Sequence, residues 1–171
     1  MKLPEVFEFC PRCASKRAGS PANPFHCLAC GHTQYFNPAV AVAAILLGPD
    51  DRILLLRRAK DPGKGKLGLP GGFVDLGETA EDALRREIRE EVNLEVRALE
   101  FLCTLPNEYH YKGVTYPVLD LFFVARAPTL TGIAALDGVE SFLWIAPAQV
   151  DLSEIAFHSN AEALRRFNAR R

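Results

Sequence analysis

Two copies of the pattern C-x2-C, Cys10-Pro11-Arg12-Cys13 and Cys27-Leu28-Ala29-Cys30, most constrain what this chain can fold into. Each spacing lets two thiolates converge on one ion from a tight turn. Two such turns supply four sulfurs, the complement of a closed tetrahedral zinc site. The thirteen residues between Cys13 and Cys27 suit a short hairpin, and Gly31 follows the second pair where the backbone needs freedom. Disulfides are the competing reading. The N-terminus carries Glu5 and Glu8 where a secretory leader would need an apolar core, so a cytoplasmic and reducing setting is expected. A redox C-x-x-C would come once, inside a strand–helix unit. His26 and His32 flank the second pair and are expected to be surface polar groups, because four thiolates already fill the shell. A segment of about 35 residues cannot bury a sufficient core, so bound metal must supply the folding energy. Residues 1–36 therefore read as a zinc ribbon holding structural Zn2+ on Cys10, Cys13, Cys27 and Cys30. Lys16, Arg17 and a few aromatics are too sparse for a nucleic-acid surface, and no such partner is supported.

The remainder of the 171 residues suits one ordinary domain. Its longest apolar run, Ala39 to Leu47, is far short of the roughly 20 residues of a membrane span, so no membrane partner is expected. That run reads as a buried strand, and Ile53 to Leu56 as a second, ending in Arg57 and Arg58. Ala59 to Gly68 reads as a loop, Leu69-Pro70-Gly71-Gly72 as a sharp turn, and Phe73 to Leu76 as extended. Thr79, with Asp82 three residues on, caps a helix running to Val92, and Asn93 tolerates the left-handed conformation that ends it. Leu94 to Leu102, Val114 to Ala125 and Ser141 to Ile145 are strand candidates. Ser159 and Glu162 propose a capping box for a last helix.

On a helical wheel Glu87, Glu90 and Glu91 fall at about 0°, 300° and 40°, on one face. Leu84, Ile88 and Val92 fall at about 60°, 100° and 140° and form the core stripe. Like charges at these spacings destabilise a helix unless a cation sits on them. A carboxylate cluster on a rigid helix is what Mg2+ prefers, while a solvated face compensated by Arg86 is the plainer reading. The turn at Gly71-Gly72 lets backbone approach a ligand, and Arg57, Arg58, Lys64 and Lys66 precede it as cations for phosphate. Carboxylates, close backbone and cations together describe a metal-assisted phosphate site.

Gly72, five residues, Glu78, seven residues, then Arg86-Glu87-Ile88-Arg89-Glu90-Glu91-Val92-Asn93-Leu94 resembles the Nudix box. Asn93 stands where the family usually has Gly, and Leu67-Gly68 where relatives often carry Trp. The resemblance covers about residues 37–150, and the ribbon is similar to that of the NADH and FAD pyrophosphatase branches. It implies an α/β protein: a Nudix α/β/α sandwich around a mixed sheet over residues 37–150, with 151–171 a C-terminal helix packed on it. It implies a pyrophosphohydrolase that cuts the diphosphate of a nucleoside diphosphate linked to another group. Mg2+ or Mn2+ would be held by Glu87, Glu90 and Glu91 with the Gly72 carbonyl. Arg86 would orient a glutamate of the cluster, Glu78 would act in the helix–loop ion-pair framework or at an outer metal, and the base would be Glu90, Glu108, Asp120 or Glu140. Glu140, four residues before Trp144, resembles the glutamate that often completes such sites.

The substrate is expected to be a nucleotide-containing small molecule of dinucleotide type: NADH, FAD or ADP-ribose. Arg57 and Arg58 would bind its diphosphate, and Tyr109 would stack on a base or ring. The Ser-Gln-Pro-Trp-Pro-Phe-Pro array of NADH pyrophosphatases is replaced by Thr104-Leu105-Pro106-Asn107-Glu108-Tyr109-His110, in which only Pro106 matches outright and Tyr109 stands for Phe, so assignment as that enzyme is not supported. His110 reads as a surface histidine and Cys103 as a buried thiol. A non-catalytic sensor or nucleic-acid-binding module on the same scaffold is the alternative, and a homodimer is a further expectation.

Overall fold

The computed structural model describes all of residues 1–171, which form two compact units. One comprises Met1–Ala39 with Glu108–Val118, the other Val40–Asn107 with Leu119–Arg171.

The first unit has a four-residue helix α1 (Leu3–Val6) and a two-stranded hairpin, β1 (Phe25–His26) and β2 (Thr33–Gln34). The hairpin does not fill the stretch between Cys13 and Cys27, as the spacing suggested. It embraces the second knuckle, since a two-strand ladder with His26 opposite Thr33 closes the turn that carries Cys27 and Cys30. The core is small: Cys10, Phe25, Cys27 and Phe36, with Leu3 and Phe7 against them. Asn23 exchanges hydrogen bonds in both directions with the Phe36 backbone, each 3.0 Å. The Arg17 guanidinium donates to the carbonyls of Pro4 and Phe7.

The second unit is built on β3 (Ala39–Leu47). Alternate residues of this apolar run serve opposite faces of one sheet. Val42, Ala44 and Leu46 pack under α2 (Ala80–Val92), on Ala83, Leu84, Ile88 and Val92. Ala43, Ile45 and Leu47 pack with Ala161, Ala163, Leu164 and Phe167 of the last helix, α3 (His158–Ala169). Helices thus cover both faces, which is why the run is apolar without alternation. The sheet continues through β4 (Ile53–Arg58), β5 (Leu67–Gly68), β6 (Gly71–Phe73), β7 (Leu99–Tyr111), β8 (Val114–Arg126) and β9 (Val139–Ile145). Its order is β5-β4-β3-β8-β7, with β6 paired to β3 and β9 to β4. Ala127, just past β8, donates to the Leu47 carbonyl at the end of β3, so these neighbours run parallel while β4 runs antiparallel to β3. The sheet is mixed.

Several local expectations give way to pairing. The glycines expected in a sharp turn lie in β6, where Gly71 and Gly72 face Ala43 and Val42. An added side chain at Gly71 (φ +147°) would run into the Val42 carbonyl. The expected loop 59–68 ends in a strand, because Leu67 and Gly68 pair with Arg57 and Leu56. The strand placed at Leu94 begins at Leu99 and runs on to Tyr111 in a long hairpin. Ser159 caps nothing: α3 starts at His158, and the Ser159 hydroxyl is spent on Asp120 instead. Thr79 does accept from the Asp82 N–H at 3.1 Å, and Asn93 does end α2 in the left-handed region.

Candidate functional site

The four thiols in the first unit are free, and their Sγ atoms all lie within 4.8 Å of one another. Cys10 and Cys30 stand 3.8 Å apart, Cys13 and Cys27 3.6 Å. Four sulfurs at about 2.3 Å from one zinc ion sit roughly 3.8 Å apart along the tetrahedral edges, so the tetrad fits that ion. Each knuckle closes the same way: Ala14 donates to the Cys10 carbonyl and Gly31 to that of Cys27, both at 2.9 Å. Both residues are left-handed, at φ +58° and +72°. The Ser15 hydroxyl and N–H hold the Cys13 thiol down at about 6. The His32 N–H favours the Cys30 thiolate, yet its crowded sulfur neighbours and burial push that thiol up to about 12. Four thiolates cannot share this space without a cation among them. His26 is spent on Thr33 and stands outside the tetrad, as does His32.

In the second unit Glu87 and Glu91 of α2 face β6, and Glu90 joins them through Arg86. The Glu91 carboxylate accepts from the Gly71 N–H at 2.9 Å. The Glu87 carboxyl lies where a Cβ at Gly72 would be, so only glycine lets backbone and carboxylate approach so closely. Arg86 is the hub. Its guanidinium donates twice to Glu78, at 3.0 Å each, and to Glu87 at 2.8 Å, Glu90 at 3.2 Å and the Phe73 carbonyl at 3.0 Å. These partners keep Arg86 protonated beyond its ordinary range, the Glu78 hydrogen bonds most. Glu78 is held below the usual carboxylate range by the same bonds. Burial raises Glu87 and pushes Glu91 up to about 8. Glu90 is the open member, with 53% of its side chain exposed against 17% for Glu87. Hard oxygens converging beside close backbone suit a hydrated divalent cation.

The other sequence candidates scatter. Arg57 donates to the Gly65 carbonyl, and Arg58 donates to the Pro62 carbonyl and lies 4.9 Å over the Phe157 ring. Both guanidiniums therefore brace the 59–66 loop. Glu140 is exposed at the bulge of β9 between Ser141 and Val139, the residues opposite Arg57 and Arg58. Asp120 is buried on the α3 face. It accepts from Ser159 at 2.5 Å and Asn107 at 2.9 Å, and burial raises its pKa. Glu108 and Tyr109 belong to the first unit, where Tyr109 lies 6.4 Å from Tyr111 and His110 bonds Thr115. Of the four candidate bases, only Glu90 stands in the helix cluster. The part that local reading missed, the Phe73 carbonyl, is a backbone group and carries no sequence signal.

Residues 37–167 match the model of the NUDIX domain. An ADP-ribose pyrophosphatase of Methanocaldococcus jannaschii is 53% identical over 60 residues, 35% of either chain. The human mitochondrial NAD(P)H pyrophosphatase NUDT13 is 32% identical over 97 residues, 57% of this chain and 27% of its own. The NAD-capped RNA hydrolase NudC of Chromobacterium violaceum is 36% identical over 94 residues, 54% of this chain and 35% of its own. The chain thus spans about a third of the length of these relatives. A crystal structure of a NUDIX hydrolase from Nitrosomonas europaea superposes with a TM-score of 0.77 at 25% identity, covering 96% of this chain and 92% of that one. A helix that gathers three carboxylates against paired glycines, inside a domain matched over most of its length, has one origin: the chain belongs to the NUDIX hydrolase family.

Proposed function

We propose that this chain is a Mg2+- or Mn2+-dependent pyrophosphohydrolase acting on a dinucleotide-type diphosphate such as NADH, FAD or ADP-ribose. The observation that carries the reading is the convergence of Glu87, Glu90 and Glu91 beside Gly71 and Gly72 under the Arg86 clamp. Glu87, Glu90, Glu91 and the Gly72 carbonyl would hold the ions. When bound, a divalent ion polarises a phosphoryl oxygen and lowers the pKa of its water. Arg86 fixes the rotamers of Glu87 and Glu90, so the cluster needs little reorganisation on binding. Glu90, exposed and in the cluster, is the best-placed residue to take a proton from the attacking water, and Glu140 the second candidate. Residues 1–36 would be a zinc-stapled ribbon, 37–150 the hydrolase domain and 151–171 its packed C-terminal helix. No helix is long and apolar enough to cross a membrane, and the proposed location is cytoplasmic, a reducing setting in which four thiolates stay available to zinc.

The substrate class is supported by relatives named for ADP-ribose, NAD(P)H and NAD-capped RNA, all of which contain a nucleoside diphosphate linked to another group. Arg57 and Arg58 are the proposed diphosphate contacts, each exchanging its carbonyl on the 59–66 loop for phosphate when substrate binds. Hydrolysis of NADH, FAD, ADP-ribose, nucleoside triphosphates and diadenosine polyphosphates, with Mg2+ and with chelator, tests the reading. Mg2+-dependent release of AMP from the first three is expected. A triphosphate cleaved with kcat/KM about tenfold above every dinucleotide would overturn the substrate class. No Mg2+-dependent release from any substrate, with a gel shift on nucleic acid, would favour the binding module.

A further inference from the structure

We infer that Asn93 is a positioning residue for Glu90 and Glu91, because its side-chain amide clamps segment 130–138 across the C-terminal end of α2. An α-helix leaves its last four carbonyls without internal partners. Here these belong to Arg89, Glu90, Glu91 and Val92. The Asn93 N–H serves Arg89 at 2.9 Å. The other three are served by one passing strand of backbone: Ala134 donates to Val92 at 3.2 Å, Leu136 to Glu91 at 2.9 Å and Asp137 to Glu90 at 3.3 Å. Glu90 and Glu91 therefore offer a carboxylate to the cluster and a carbonyl to this segment.

The segment is pinned at both ends. At its start the Asn93 Nδ2 donates to the Gly132 carbonyl at 2.9 Å. Gly132 is left-handed, at φ +80°, and a Cβ there would sit 3.4 Å from the same amide nitrogen. At its finish Lys60 pairs with Asp137 at 2.8 Å, and Ala59 donates to the Gly138 carbonyl at 2.9 Å. Glycine at position 93 would reproduce the left-handed backbone (φ 54°, ψ 37°) but not the amide. Asparagine there does two things at once: it ends the helix and holds the segment that completes it. Releasing the segment frees the last turn, where Glu90 and Glu91 stand, and a hydrated divalent cation is sensitive to such displacement of its ligands.

The inference rests on the metal role proposed for Glu90 and Glu91, and its test separates the two. Asn93→Gly removes the side-chain bond and keeps the backbone conformation. It should raise the Mg2+ concentration for half-maximal turnover by about three- to tenfold, with kcat at saturating Mg2+ within about twofold of the parent. Amide exchange at Ala134, Leu136 and Asp137 should quicken, while that at Ile88 in mid-helix stays unchanged. Ile155→Val, which loosens the opposite face of the sheet, should leave the Mg2+ requirement where it was. An unshifted requirement in Asn93→Gly, or an equal shift in Ile155→Val, overturns the positioning role. A parent protein whose turnover ignores Mg2+ overturns the functional reading, and this role with it.

Discussion

The sulfur tetrad and the carboxylate helix are both clusters of metal-ligating side chains, and they solve the repulsion among their members differently. The tetrad has no cation of its own. Its sulfurs stand at the spacing zinc requires, and the buried core around them adds only Phe25 and Phe36 to the tetrad's own Cys10 and Cys27, so a structural ion would supply what the core lacks. The carboxylates carry a resident cation. Arg86 bridges Glu78, Glu87 and Glu90, while the helix beneath is anchored by Ala83, Leu84, Ile88 and Val92, all fully buried. A closed site can let metal do the work of a core, whereas an open site that must release products needs a fold that stands without it.

Removing metal should break this symmetry most widely. Zinc binding contributes on the order of 10 kcal/mol to small metal-stapled folds, so a strong chelator or Cys27→Ser should melt the first unit. The helix signal of α2 should persist, as circular dichroism and amide exchange would read. Metal analysis of intact protein should find about one zinc per chain. Two stable disulfides in place of zinc would sink the comparison.

Glu90→Gln and Glu91→Gln should each lower turnover at least about a hundredfold, close to 2.7 kcal/mol, by taking charge from a shared metal site. Metal-free thermal stability should hold or rise slightly. In Glu91→Gln the new amide oxygen can still accept from the Gly71 N–H, and the burial that pushes the carboxyl up to about 8 no longer opposes an ionised group. Full activity in either variant would remove the helix from the chemistry.

Arg86→Ala sharpens the contrast at intermediate scale. It strands Glu78 and Glu87, both largely buried, and should cost about 2 kcal/mol of metal-free stability in denaturant unfolding. Added Mg2+ should recover part of that loss, since an ion can take the place of the guanidinium among the carboxylates. A loss that Mg2+ leaves untouched would mean Arg86 acts apart from the ion site.

The smallest effect compares the two knuckles. Ala14 and Gly31 occupy the same left-handed position, and alanine is strained there. Ala14→Gly should stabilise the zinc-bound first unit by about 0.5 kcal/mol, the strain relieved less the entropy glycine adds to the unfolded chain. A destabilised variant would show that the first knuckle is not under strain.

Much of both clusters was legible in the sequence because short-range geometry writes it. Cysteines two residues apart share a knuckle, and glutamates three and four apart share a helix face. Thr79 and Asn93 mark the ends of that helix through their own backbone and side-chain preferences, and an apolar run such as Ala39–Leu47 reads as a strand with both faces covered. The residues of the substrate reading were less legible. Arg57 and Arg58 look like phosphate ligands in a line of sequence, but the fold sets their guanidiniums on the carbonyls of Gly65 and Pro62.

The sequence by itself determined the cysteine pairs, the carboxylate face and core stripe of the α2 helix, and the unbroken apolar run of the central strand, all consequences of contacts within a few residues. Only the tertiary structure decided that Gly71 and Gly72 form a strand beside Val42 and Ala43, and that Ser159 holds Asp120 instead of capping α3. It also decided that the end of α2 is completed by backbone some forty residues downstream. These bonds join groups that every residue carries, or side chains far apart along the chain. Their partners are chosen when the sheet and its helices pack, and no local pattern can name them in advance.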